Sequence, residues 1–194
     1  MPRPIQNLLV TGGAGFIGVN FIRWLFDQPD GPARIVNVDK LTYAGNPLSL
    51  LDLAEKAGDR YVFVKADICD AAAVHNAIEQ YNIDAIAHFA AESHVDRSIV
   101  APDEFVRTNI LGTYTLLQAA REHADQVKLF HHVSTDEVFG TLGDTGFFTE
   151  DTPYAPNSPY SASKAASDHL VRAYHETYAL PTTLSNCSNN YGPF

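Results

Sequence analysis

Apolar positions recur along this chain in two periods, and the periods alternate. Asn7 to Thr11 is an apolar run of strand length. After a cluster of glycines, apolar residues return at Phe16, Val19, Ile22 and Phe26, with Phe21 and Leu25 beside them. That second spacing is helical. Further β-like runs lie at 33–38, 61–64, 85–90, 128–133 and 181–184. Between them fall helical patterns at 47–58, 70–80, 103–123 and 159–178. Asp70 reads as an N-cap, with Val74, Ala77 and Ile78 facing inwards. In the segment 103–123 the inward candidates are Phe105, Thr108, Gly112 and Leu116. Strand and helix alternate through the chain, which predicts an α/β fold: a Rossmann-like, doubly wound parallel sheet with helices on both faces. The loop from Gly140 to Asn157 is long enough to suggest function on length alone.

Composition narrows the class. A chain of 194 residues with 45% apolar and 19% charged residues fits one globular domain. Its net charge of -10, without a basic stripe, argues against nucleic acid as a partner. No run of about 18 apolar residues suggests a membrane span. The start, MPRPIQNLLV, lacks a signal-peptide core, so a cytoplasmic location is expected. Cys69 and Cys187 lie far apart and form no CxxC, so neither a disulfide framework nor a structural metal is expected, and both read as small buried hydrophobes. His131 and His132 are neighbours in a strand and face opposite sides, which suits no shared metal. His88 reads as a hydrogen-bonded core residue.

Several stretches carry candidate chemistry. The glycines at 12, 15 and 18 stand between a strand and a helix, the context that a dinucleotide fingerprint requires. Gly12 permits the tight turn, Gly15 lets backbone approach a pyrophosphate, and Gly18 lets the helix lie close to the strand. Asp39 follows at about 20 residues, where an acid hydrogen-bonds a ribose and repels a 2′-phosphate. That favours NAD over NADP, although Lys40 acts against it and a strand-end cap is the plainer role for Asp39. Asp67 and Ile68 end the third strand, where a carboxylate can meet an adenine amino group, and small residues at Ala90 and Ala91 allow close approach of a cofactor. Asn109 is placed to bond backbone.

The run Ser134-Thr135-Asp136-Glu137 puts two carboxylates at the exit of an apolar strand. Such groups are costly unless solvated, paired or used, and a helix cap competes with catalysis as their role. Tyr160 and Lys164 are an i, i+4 pair on a helix. An ammonium within about 4–6 Å of the phenol lowers its pKa and prepares it to take a hydroxyl proton.

Together, TGGAGFIG, YSASK and NNYGP resemble the extended short-chain dehydrogenase/reductase family. The runs VDKLTYAGN, AAESHVDRS, STDEVFG and NCSNNYGP are similar, within it, to the 4,6-dehydratases of nucleotide sugars. Relatives that only epimerise C4 carry small or hydroxyl residues where this chain has Asp136-Glu137. The resemblance implies that Tyr160 deprotonates the sugar 4-hydroxyl, Glu137 removes the C5 proton and Asp136 protonates the departing 6-hydroxyl. It further implies that Thr135 bonds the 4-oxygen and that Lys164 tunes Tyr160 and holds the nicotinamide ribose. By the same resemblance, Phe16, Ile17, Asp39, Lys40, Leu41, Thr42, Asp67, Ile68, Phe89, Ala90, Ala91, Ser93, Thr108 and Asn190 lie near NAD, while Ser93 and Asn189 lie near the substrate. Arg97 and Arg107 are expected in surface ion pairs. Family members are longer, so residues 1–194 are expected to form the NAD-binding domain, with the substrate-binding part beyond the NNYGP run. A homodimer through the helices at 103–123 and 158–178 is also implied. Two other readings remain: a different nucleotide-sugar dehydratase or epimerase, and an NAD-binding module without turnover.

Overall fold

The apolar runs become strands β1 (Asn7–Thr11), β2 (Arg34–Asp39), β3 (Tyr61–Lys65), β4 (Ala85–His88), β5 (Leu129–Thr135) and β6 (Thr182–Cys187) in the computed structural model, which describes residues 5–194. The first four residues of the MPRPIQNLLV segment lie outside the described residues. The helices are α1 (Phe16–Phe26), α2 (Leu51–Ala57), α3 (Ala71–Gln80), α4 (Val95–Val100), α5 (Pro102–Phe105), α6 (Thr113–Glu122) and α7 (Pro159–Tyr178). All strand pairs are parallel, in the order β3-β2-β1-β4-β5-β6.

The sheet is covered on both faces, and strand alternation divides the core in two. Leu9, Val36, Ile86 and Phe130 point to one side, where Ile78, Leu116 and Val171 of α3, α6 and α7 meet them. Leu8, Val10, Ile35, Ala85 and Ala87 point to the other, against Val19 and Ile22 of α1 and Leu50. Burial on both faces is why β1 and β4 read as continuous apolar runs. Asp70 caps α3 by accepting from the Ala73 N–H at 3.1 Å, and Val74, Ala77 and Ile78 are buried. His88 sits in the core, its two ring nitrogens 2.7 and 3.0 Å from the hydroxyls of Thr11 and Thr113.

Four readings need correction. Residues 103–123 are not one α-helix: α5 passes into a π-helical stretch, Val106–Gly112, before α6. A period averaged over a long segment does not resolve one added residue per turn. The short helix α4 went unread because six residues offer too little periodicity. The ends of β5 and β6 also run further than the apolar residues do, so Ser134, Thr135, Asn186 and Cys187 are strand residues. Their ladder bonds to one another sustain the strands where side-chain hydrophobicity fails. Cys69 and Cys187 are free thiols and only half-buried, and Cys69 donates to the Arg107 carbonyl at 3.3 Å.

Candidate active site

β1 lies between β2 and β4, so the chain winds one way from β1 and then the other. That reversal opens a crevice beyond the carboxyl ends of β1 and β4, where ligands of open α/β sheets bind. A cleft of about 300 Å³ lies there. The glycine turn forms one wall. Gly12 has φ +70°, and a Cβ on it would sit 2.6 Å from the backbone of Ala90. The turn therefore packs directly on the segment leaving β4. α1 begins at Phe16 with no side-chain cap and no acid in its first turn. Its first N–H groups and the positive end of its dipole are left for an anion. Around Gly15 a Cβ would find only the Gly12 and Ala44 carbonyls, at 3.4 and 3.9 Å, so the approach is open.

Asp39 lines the same cleft and is buried. Its carboxylate accepts from Ala14 N–H at 3.0 Å and Leu41 N–H at 2.8 Å, tying the glycine turn to the next loop. The plainer capping role is thus real, and it holds a fixed negative charge at the wall. Lys40 does not offset that charge: its ammonium turns to Asp67, 3.0 Å away. Asp67 also accepts from Cys69 N–H at 2.9 Å and lies 3.8 Å from Arg107. Lys40 and Cys69 hold its carboxyl below the usual range although burial opposes them. Arg107 therefore takes the ion-pair role expected of it, whereas Arg97 stacks 3.9 Å over the Tyr43 ring. A glycine-floored cleft with a bare helix N-terminus at its middle and a carboxylate at one wall fits a dinucleotide lacking a 2′-phosphate.

At the other end of the cleft β5 delivers the acids. A single helical turn follows it, and its N-cap is Thr135, whose hydroxyl accepts from Glu137 N–H at 3.2 Å. Capping therefore falls to the threonine and leaves both carboxylates for other work. Asp136 and Glu137 line a second, open hollow with Gly140, Phe148, Ser188 and Asn189. Burial, and then the charge of Asp136, raise the Glu137 carboxyl above its ordinary value. That makes Glu137 the better proton acceptor of an adjacent pair.

Tyr160 and Lys164 share a buried face of α7 and both line the dinucleotide cleft. The expected tuning of Tyr160 by Lys164 is not what the geometry gives. Lys164 donates to the Val133 carbonyl at 2.8 Å. Burial, followed by the charge of Glu137, pushes the Tyr160 phenol up to about 12, with Thr135 opposing. Tyr160 is thus a protonated donor beside Thr135 and Glu137, and the lysine charge is directed at strand β5.

The cleft gathers Gly12, Gly15, Phe16, Ile17, Gly18, Asp39, Lys40, Thr42, Asp67, Ile68, Phe89, Ala90, Ala91, Ser93, Thr108, Tyr160 and Lys164. Asn189 joins the carboxylates in the neighbouring hollow. Leu41 and Asn190 line neither: Leu41 turns with φ +59°, and Asn190 donates to the Ser188 carbonyl. Asn109 bonds backbone as expected, to both N–H and C=O of Glu92 at 2.8 and 2.9 Å, and donates to Ser163 at 2.8 Å. It pins the loop after β4 to α7. Three residues behind the site were not singled out from the sequence: His132 as a contact of Lys164, Tyr154 and Asp168. Only Asp168 left a signal, because it continues the i, i+4 spacing of Tyr160 and Lys164.

A family model described as GDP-mannose 4,6 dehydratase matches residues 9–194. The chain is 56% identical over 196 residues to a dTDP-glucose 4,6-dehydratase of Neisseria gonorrhoeae, covering 97% of this chain and 56% of that protein. Among solved structures, DesIV, a dTDP-glucose 4,6-dehydratase of Streptomyces venezuelae with NAD bound, superposes with TM-score 0.90 at 51% identity, covering 97% of this chain and 57% of that one. A UDP-glucose 4-epimerase of Thermotoga maritima gives TM-score 0.85 at 28% identity, covering 97% and 57%. The chain spans about half the length of the curated relatives it matches.

Proposed function

The chain belongs to the GDP-mannose 4,6 dehydratase family, and from this we propose that it forms the NAD-binding half of a dTDP-glucose 4,6-dehydratase, with the acid, the base and the tyrosine of the reaction. The observation that carries this reading is that Glu137 and Asp136, left free of capping by Thr135, lie near enough for their charges to act on the Tyr160 phenol. Gly12, Gly15, Gly18 and the first turn of α1 would hold the pyrophosphate of NAD, Asp39 a ribose, and Lys164 the nicotinamide end. The chemistry the cofactor supplies when bound is reversible hydride acceptance, from C4 of the sugar and back to C6. Tyr160, its phenol brought down from about 12 by the positive charge of a bound oxidised nicotinamide, would take the proton of the 4-hydroxyl, with Thr135 holding the oxygen. The resulting 4-ketone acidifies C5, and Glu137 removes its proton. Asp136 protonates the 6-hydroxyl as it leaves as water. A proton then returns from Glu137 to C5, C6 becomes a methyl group, and the 4-ketone remains in the product. Epimerisation at C4 needs only the tyrosine and its cofactor, so the acid pair favours dehydration over the epimerase reading.

The full-length protein incubated with dTDP-glucose should yield a product lighter by one water, read by mass spectrometry. An isomer of unchanged mass would support the epimerase. Tight NAD binding with no product from dTDP-glucose, UDP-glucose or GDP-mannose would support a module without turnover.

Exposed Ile99, Val106, Leu111, Tyr114 and Tyr178 crowd α4, the π-helical stretch, α6 and α7. An apolar face of that kind suits a second copy of the chain. We infer a homodimer, which light scattering should report as twice the protomer mass, and Leu111→Glu should give monomer. A monomeric parent protein would sink this. Among the described residues no helix is long and apolar enough to cross a membrane, which is compatible with the inferred cytoplasmic location.

A further inference from the structure

Tyr160, Lys164 and Asp168 stand at successive i, i+4 positions of α7, so their side chains lie in a row. All three are buried. Lys164 is the costly member. Its hydrogen-bond partners are neutral: the Val133 carbonyl at 2.8 Å and His132 Nε2 at 3.4 Å. A buried ammonium without a counter-charge loses far more hydration than such contacts return.

Asp168 meets the same ring nitrogen, with Oδ1 3.2 Å from His132 Nε2, so carboxylate and ammonium converge on one atom. Burial, then Lys164, hold His132 well below its ordinary pKa, so the ring they share is neutral. Asp168 Oδ2 is fixed by Ser134 Oγ at 2.8 Å and Tyr154 OH at 3.0 Å. Asp168 Oδ1 and His132 Nδ1 are buried with no hydrogen-bond partner among the described residues. Ser167 Oγ lies 3.3 Å from the same His132 nitrogen.

We propose that Asp168 is a positioning residue of the cofactor site: beside the neutral ring of His132, on whose Nε2 both side chains converge, it supplies the counter-charge that keeps Lys164 an ammonium at the cleft. Ser134 and Tyr154 hold the carboxylate in place. This role rests on the assignment of Lys164 to the NAD site.

The titratable groups around Lys164 are Tyr160 and Asp168 on α7, His132 on β5, His88 on β4 and Cys187 on β6. Tyr154 touches it only through Asp168, and Asp136 and Glu137 only through Tyr160. Both histidines are neutral, and Asp168 is the carboxylate whose charge raises Lys164 against burial. Burial nonetheless brings Lys164 down to about 8 from 10.5. The folded protein therefore loses this proton near 8, while the unfolded chain keeps it to 10.5. Stability from this group rises with pH between those values, as the ammonium needed at the cleft disappears. Removing the Asp168 charge lowers Lys164 further and moves the loss to lower pH.

The test uses full-length protein. NAD affinity is measured by calorimetry against pH for the parent, D168N and D168E. Parent affinity should fall above about 8, D168N should fall about one pH unit earlier, and D168E, which keeps the charge, should track the parent. Melting without NAD near pH 6 gives a second readout. D168N should lower Tm by on the order of 5 °C or more, and adding K164M should recover most of that loss. A D168N limb that coincides with the parent's overturns the proposal. So does a K164M/D168N double variant that melts no higher than D168N, or that fails to fold along with it, because Asp168 would then act through its own contacts. If the parent binds no NAD at any pH, the reading of the site itself falls, and this role falls with it.

Discussion

Glu137→Gln is expected to lower turnover of dTDP-glucose by about 10²- to 10⁴-fold while leaving NAD affinity near that of the parent. Gln keeps the size and the hydrogen-bonding reach of Glu but cannot accept the C5 proton. Glu137 lies at the open hollow with its pKa raised by burial and by Asp136, which increases its basicity. The loss should fall on elimination and not on oxidation. A single-turnover experiment should therefore still show reduction of the nicotinamide, with no 4-keto-6-deoxy product by mass. Asp136→Asn should also stop water loss, because the 6-hydroxyl then leaves without a proton donor. If Glu137→Gln makes dehydrated product at the parent rate, Glu137 is not the base.

Gly18→Ala is expected to cost both stability and cofactor binding. An added Cβ would lie 2.3 Å from the Gly12 carbonyl oxygen and 2.6 Å from Gly13 Cα. Both are backbone atoms of the turn, so no side chain can swing aside. α1 must move off the strand, and the N–H groups at its start move with it. Overpacking of this kind costs about 1–3 kcal/mol, or roughly 2–10 °C in Tm. A shift of the helix start by a few tenths of an ångström should weaken NAD binding by about tenfold or more, since 1.4 kcal/mol is one decade. Gly143→Ala is the control: a Cβ there meets nothing within 4 Å. Calorimetry and thermal melting should separate the two variants. Equal Tm and equal NAD affinity in both would show that the turn has slack the backbone distances deny.

Much of this molecule was legible in one dimension because its signals are local. The helix reads from the sequence as opening at Pro159 and running to about Tyr178, and it does span Pro159–Tyr178, with Ser158 and Ser161 forming a reciprocal cap at its start. Capping chemistry acts within one turn, so it is written in adjacent residues. The glycine turn, Asp39 and the Tyr160/Lys164 spacing are likewise short-range patterns, and the structure brings them to one cleft. The strand alternation gave the parallel, doubly covered sheet.

What the sequence could not decide was direction and partner. The place of the cleft follows from the strand order 3-2-1-4-5-6, and no local pattern states which strands become neighbours. The role of Lys164 changed for the same reason. An i, i+4 spacing puts it within reach of both Tyr160 and Asp168, and only the packing of α7 on β5 turns its ammonium to Val133 and His132. The two acids at the end of β5 were equally open to capping or catalysis until the fold assigned the cap to Thr135. Sequence determines which groups are present and which neighbours share a helix face. Only tertiary contact decides which of them are desolvated together, and it is desolvation that sets their charges.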